Sequence, residues 1–148
     1  MKNKEIELFK EALDCARNEF YIESINSFNK LIRLFPNSDL VDDAYFNIGL
    51  CYFEMNHFEQ AIDSYNIVIN DYPDSTISDL ELAEFGKTAA KCHYAILNCY
   101  LALNLMEDAK RELEKAKKYE NSFVINKGKE ISFYILCQRA IQTYTSIK

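Results

Sequence analysis

Apolar residues recur along this chain at steps of three and four, and the clearest run lies between Asp42 and Ser75. Ala44, Tyr45, Ile48, Gly49, Tyr52 and Phe53 fall on one side of a predicted helix. Phe58, Ala61, Ile62, Tyr65, Val68 and Ile69 fall on one side of a second. Asn56 and His57 interrupt the pattern, and Asn tolerates the left-handed conformation that closes a helix, so a tight turn is expected there. Pro73 forbids continuation and biases Tyr72 away from helix. Gly49 and Ala61 are the small residues of the pair and are expected where the two helices cross. Two short helices with one apolar face each cannot stand alone. Such a unit predicts neighbours stacked on both sides, an extended groove, and binding as the default function.

The 34 residues 42–75 carry Tyr45, Ile48, Gly49, Tyr52, Ala61, Tyr65, Val68 and Pro73 at a spacing that resembles the tetratricopeptide repeat. Upstream, Leu8, Ala12, Cys15, Ser24, Phe28, Leu31 and Pro36 occupy the same slots, with Glu11 departing where Leu is expected. Downstream, Ile96, Tyr100, Ala109, Leu113 and Ala116 match, while His93, Leu97 and Asn121 depart. The resemblance implies an all-α fold, a right-handed superhelical array of antiparallel helix pairs forming a TPR-like α-solenoid. It is read as a single domain over 1–148, with repeats at 5–38, 42–75 and 90–121.

The joints differ. FPNS at Phe35–Ser38 and YPDS at Tyr72–Ser75 are alike, and such endings look like those of the repeats in bacterial envelope-assembly lipoproteins and their relatives. An insertion, 76–89, precedes the third repeat. Ser78 and Glu81 form a capping-box signature, so a helix is expected to begin near Asp79 and run on, with Gly86 as a kink. The segment 129–147 is read as a C-terminal capping helix bearing Ile131, Tyr134, Ile135, Ile141 and Tyr144. Its second stripe, Phe133, Cys137 and Ala140, could seal a partner instead.

Composition adds constraints. Three Gly and two Pro in 148 residues leave little turn chemistry for a sheet. The first residues, MKNKEIELFKEA, are charged throughout, unlike a signal peptide, and no run approaches the ~20 apolar residues of a membrane span, so a cytoplasmic location is expected. Five cysteines lie on apolar helical slots with no CxxC pair. Cys92, His93 and Cys99 cannot converge as a full ligand set from one helix, so buried free thiols are expected and no metal or other cofactor. No Gly-rich phosphate loop or nucleophile elbow is present, and the chain is read as not an enzyme. Asp42 and Asp43 read as first-turn acids complementing a helix dipole.

Charge bears on the partner. Eleven Asp and Glu, and no Lys or Arg, fall between Arg33 and Lys87, and the net charge is −6. Phosphate binding needs a basic surface, so nucleic acid is disfavoured. The acidic centre could steer a basic partner. Lys110, Arg111, Lys115, Lys117 and Lys118 interleave with Glu107, Glu112 and Glu114, as on a solvated, salt-bridged face.

The resemblance further implies which residues face the groove: Phe9 and Leu13, then Phe46, Leu50 and Phe53, then Tyr94, Asn98 and Leu101. Repeats that clamp a carboxylate place Lys, Asn and Arg there, and only Asn98 fits. The mostly apolar lining suits an apolar peptide or helix of a partner, unless the chain's own 129–147 segment or insertion fills it. The expected function is a non-catalytic adaptor or scaffold for a protein partner. The alternatives are a dedicated chaperone or inhibitor of one basic or secreted bacterial protein, and a self-assembling unit forming a homodimer through the C-terminal helix.

Overall fold

The computed structural model describes residues 2–79 and 83–147, and the side chains of 4–77 and 83–147. Seven helices are seen among them: α1 Lys2–Arg17, α2 Tyr21–Leu34, α3 Val41–Glu54, α4 Phe58–Asp71, α5 Thr88–Ala102, α6 Met106–Ala116 and α7 Phe133–Ile147. Four short strands interrupt the series: β1 Thr76–Asp79, β2 Glu84–Lys87, β3 Phe123–Asn126 and β4 Lys129–Ser132. The chain divides into two compact units, one ending at Ile67 and the other running from Val68.

In the first unit Leu8, Ala12, Phe28, Leu31, Ala44, Ile48, Cys51, Ala61 and Tyr65 are buried at slots read from the spacing, and Val41, which the spacing did not single out, is buried with them. The Ser24 hydroxyl donates to the Ala12 carbonyl at 2.7 Å and accepts from the Cys51 thiol at 3.5 Å, so one side chain ties α1, α2 and α3 together. A Cβ on Gly49 would lie 2.5 Å from Tyr65 Cε1, which places this glycine at the crossing of α3 with α4.

Three turns are built alike. Glu19, Asn56 and Asn104 have φ of 65°, 63° and 60°. The next residue in each case donates back across the turn at 2.8 Å: Phe20 to Cys15, His57 to Tyr52, and Leu105 to Tyr100. A left-handed residue closed by a bond from its successor to the carbonyl five residues back is the Schellman helix end.

Three joints are alike as well. The amides of Ser38, Ser75 and Ser122 donate to the carbonyls of Phe35, Tyr72 and Tyr119 at 3.0, 3.1 and 3.1 Å. Each serine carbonyl then accepts from the first residue of the next helix, Val41 at 3.3 Å, Thr88 at 3.0 Å and Phe133 at 3.0 Å. After Ser38 the chain reaches α3 directly. After Ser75 and Ser122 it first makes a β-hairpin, and the two hairpins pair through β2 and β3 into an antiparallel sheet of order β1-β2-β3-β4.

The sheet corrects two expectations. Residues 76–79 are a strand, not a helix start. Of the expected capping box, the Ser78 side chain and Glu81 lie outside the described residues. Gly86 is no helical kink: it sits in β2 opposite Ile77 with φ +110°, and a Cβ there would meet the Ser122 backbone Cα at 2.5 Å. Nor is 129–147 helical throughout. Lys129–Ser132 pairs with β3, and the helix begins at Phe133. Lys127 and Gly128, with φ 52° and 77°, form the two-residue turn between Asn126 and Lys129. Positive φ at both central positions is the hairpin geometry that matches strand twist.

Candidate functional site

The first helix of each pair supplies the positions expected to face a partner. In the first unit Phe9 is half-buried with its ring edge-on to Phe28 at 5.5 Å, and Leu13 is half-buried. On α3, Phe46 is 7% exposed and its ring lies 5.4 Å from that of Tyr65. It packs in the core rather than standing free. Leu50, one turn on, is 40% exposed, and Phe53 is half-buried with its ring 5.2 Å from Phe58. Of the positions expected to face a partner in this unit, Leu50 is therefore exposed and Phe9, Leu13 and Phe53 are half-buried; the unit also exposes Ile6, Phe20, Ile22 and Leu34.

In the second unit the same register on α5 is more occupied. Leu101 is 7% exposed and belongs to a core cluster with Leu97, Ala109, Ala116 and Cys137. Tyr94 packs against that cluster and its ring lies 6.3 Å from Phe133 of α7, while Asn98 is half-buried. Part of the α5 lane is thus covered by the chain's own last helix.

The second unit also corrects the reading of Glu112 as part of a solvated face: it is buried in a pair with His93. His93 Nδ1 lies 2.8 Å from Glu112 Oε2, with side-chain exposures of 6% and 5%. A carboxylate only accepts, so Nδ1 carries the hydrogen. Lys115 reaches the other oxygen at 2.9 Å. Burial works to raise the Glu112 carboxyl, but the hydrogen bonds and charges of His93 and Lys115 outweigh it and hold the group below the ordinary carboxylate range. All five cysteines are free thiols, and burial pushes Cys99 and Cys137 up to about 12, which keeps both protonated and unreactive at neutral pH. Among the described residues no three His, Cys, Asp or Glu side chains gather to hold a metal ion.

The tetratricopeptide repeat profile matches residues 43–75, which span α3, its turn and α4. That segment is a tetratricopeptide repeat. The pairs on either side share its turn and its joint, although the profile does not reach them. Two solved structures extend the likeness. One is MamA AMB-1 (C2221), 19% identical with a TM-score of 0.56; the match covers 76% of this chain and 56% of that chain. The other is a chain of the CopN-Scc3 complex, 18% identical with a TM-score of 0.64, matched over 100% of this chain and 71% of that one. At such identities the likeness is one of fold, and the fold is that of TPR-like α-solenoids built from antiparallel helix pairs. This chain spans little more than half the length of the first of these structures. No curated protein matches it. Among the described residues no helix is long and apolar enough to cross a membrane.

Two features of the site region escaped the spacing argument. The third joint, Tyr119–Ser122, lacks proline, so YENS was not matched to FPNS and YPDS; the aromatic-x-x-Ser frame was the usable signal. The second hairpin was signalled by Lys127-Gly128 between Val124-Ile125 and Ile131.

Proposed function

We propose that this chain is a non-catalytic protein–protein interaction module that binds an apolar peptide or helix of a partner along its first helices. The observation that carries the reading is the lane of Phe9, Leu13, Leu50 and Phe53 on α1 and α3 of the first unit, with Leu50 40% exposed. An amphipathic segment laid on such a lane buries apolar surface on both sides, at roughly 25 cal/mol per Å² removed from water. The repeat at 43–75 supports this, because helical-repeat arrays present extended surfaces rather than enclosed reaction centres. The exposed acids Asp39, Asp43, Glu54, Glu59 and Asp63 favour a partner that is apolar at its centre and basic at its edges. That charge leaves room for a dedicated chaperone or inhibitor of a basic protein as a narrower form of the same function.

The test is affinity capture from the native host with wild-type protein and a Leu50→Glu variant. Leu50 stands on the surface, so the variant should keep its helical circular dichroism while losing a stoichiometric partner. Equal recovery from both would remove the α1–α3 lane as the site. Phe46 is unsuited to this test, since truncating it would open a cavity beside Tyr65.

A further inference from the structure

We infer that α7 is the first helix of a fourth pair, and that the groove between α6 and α7 is a seat for an acid-flanked amphipathic helix from another protein. This surface lies wholly in the second unit and does not depend on the lane proposed above.

The joint supplies the first half of the inference. Phe133 donates to the Ser122 carbonyl as Val41 donates to Ser38 and Thr88 to Ser75, so α7 leaves its joint as α3 and α5 leave theirs. In α3 the crossing residue Gly49 follows eight positions after Val41, and in α5 the matching repeat slot, Leu97, follows nine after Thr88. The same count from Phe133 reaches Ile141 and Gln142. Both line an open groove of about 340 Å³, together with Leu113 of α6 and Ile135, Gln138 and Arg139 of α7. Yet no helix among the described residues pairs with α7 as α2 pairs with α1 and α6 with α5.

The chemistry of the rim selects the occupant. The groove is half apolar, with Leu113, Ile141 and a 38% exposed Ile135 set among Gln138, Arg139 and Gln142. From Phe133 to Ile147, α7 has one cation, Arg139, and no acid. Arg139 makes no ion pair among the described residues. Helical spacing puts Lys110 of α6 one turn before Leu113, and Lys117, which caps α6 in helical backbone geometry, one turn after it. Lys110 reaches only the exposed Glu107, at 3.6 Å, and Lys117 pairs with no acid among the described residues. Glu107 and the exposed Glu114 lie farther round α6, so the cations nearest these apolar residues, on an otherwise acidic protein, fit a helix with an apolar stripe bordered by Asp or Glu. A second α7 would fit worse, because it would bring another Arg139 and no carboxylate.

Two synthetic 16-residue helices test this, both with Leu at positions i, i+3, i+4 and i+7, one flanked by Glu and the other by Lys. Each is titrated into the isotope-labelled full chain and followed by amide chemical shifts. The Glu-flanked peptide should shift residues of α7 and the C-terminal half of α6, and should bind at least about tenfold tighter than the Lys-flanked one. Lys117→Glu with Arg139→Glu should reverse that order while leaving the spectrum of the free protein otherwise native. Equal binding of the two peptides, shifts centred elsewhere, or no binding at millimolar peptide would overturn the proposal. So would a concentration-dependent dimer of the free chain that Ile135→Asp dissociates, which would assign the groove to a second copy.

Discussion

The crossing of α3 with α4 and that of α5 with α6 meet the same steric demand with opposite choices. At the first, Gly49 faces Tyr65, whose ring would lie 2.5 Å from any Cβ on the glycine. At the second, the equivalent slots hold Leu97 and Leu113, packed in one cluster with Ala109. The crossing of α1 with α2 is a third solution, with Ala12 and Phe28 both fully buried. Close-packed interiors constrain the volume shared across a crossing rather than the residue on either side. A repeat can therefore lose its small residue and keep its geometry, provided that its partner shrinks.

The sharpest way to break this comparison is to remove volume from the pair that has no tyrosine to refill it. Leu97→Ala should cost about 2–5 kcal/mol, because Leu113 cannot close the space. Urea unfolding should show a lower midpoint with little change in slope. A loss below about 1 kcal/mol would mean that the site collapses freely, and that Leu97 does not set the crossing.

The converse is to overfill the tight pair. Gly49→Leu should cost about 1–3 kcal/mol through the Tyr65 ring. Adding Tyr65→Leu recreates the Leu–Leu arrangement of the other pair and should recover a substantial part of the loss. A double-mutant cycle measures this directly, and purely additive costs would show that volume is not traded between the two slots.

The pairs also differ in what they bury beside the crossing. The third pair encloses His93 and Glu112, and the middle pair has Tyr45 and Ser64 in those slots. Because the folded carboxyl lies below its ordinary value of 4.5, the folded state binds the Glu112 proton less readily than the unfolded chain. Its contribution is thus fully present above pH about 4.5 and is lost as pH falls through the lower folded value. Glu112→Gln should flatten the acid limb of stability against pH. An unchanged limb would place the acid sensitivity in other carboxylates.

The helix pairs were legible and the sheet was not, for a physical reason. Each helix repeats its apolar signal over three or four turns, and Asn56 and Pro73 mark its limits. The strands are four residues long, too short for alternation to stand out, and β2 finds its partner β3 on the far side of α5 and α6. Ser78 and Glu81 then offered a local helix signal that tertiary pairing overrode. The apolar lane suffered a related ambiguity. Phe46 and Leu50 share a helix face by spacing, but only the structure separates the one held in the core from the one at the surface. The α6–α7 groove lay hidden for another reason: α7 was read as starting at Lys129, so its register against α3 and α5 could not be set.

The smallest effect expected concerns the three turns. They share one backbone geometry, yet two use asparagine and the first uses Glu19 at φ 65°. A side chain with a Cβ is penalised in the left-handed region by roughly 1–2 kcal/mol, and glycine is not, although glycine gives the unfolded chain more freedom to lose. Glu19→Gly should therefore stabilise the protein by about 1 kcal/mol, and Glu19→Asn by less. Asn56→Ala should do the reverse in the tetratricopeptide repeat itself, by a similar amount. All three can be read from urea midpoints at constant slope. If Glu19→Gly were neutral or harmful while Asn56→Ala cost the expected amount, the first turn would owe its shape to Glu19 itself, and the equivalence of the three turns would end at their hydrogen bonds.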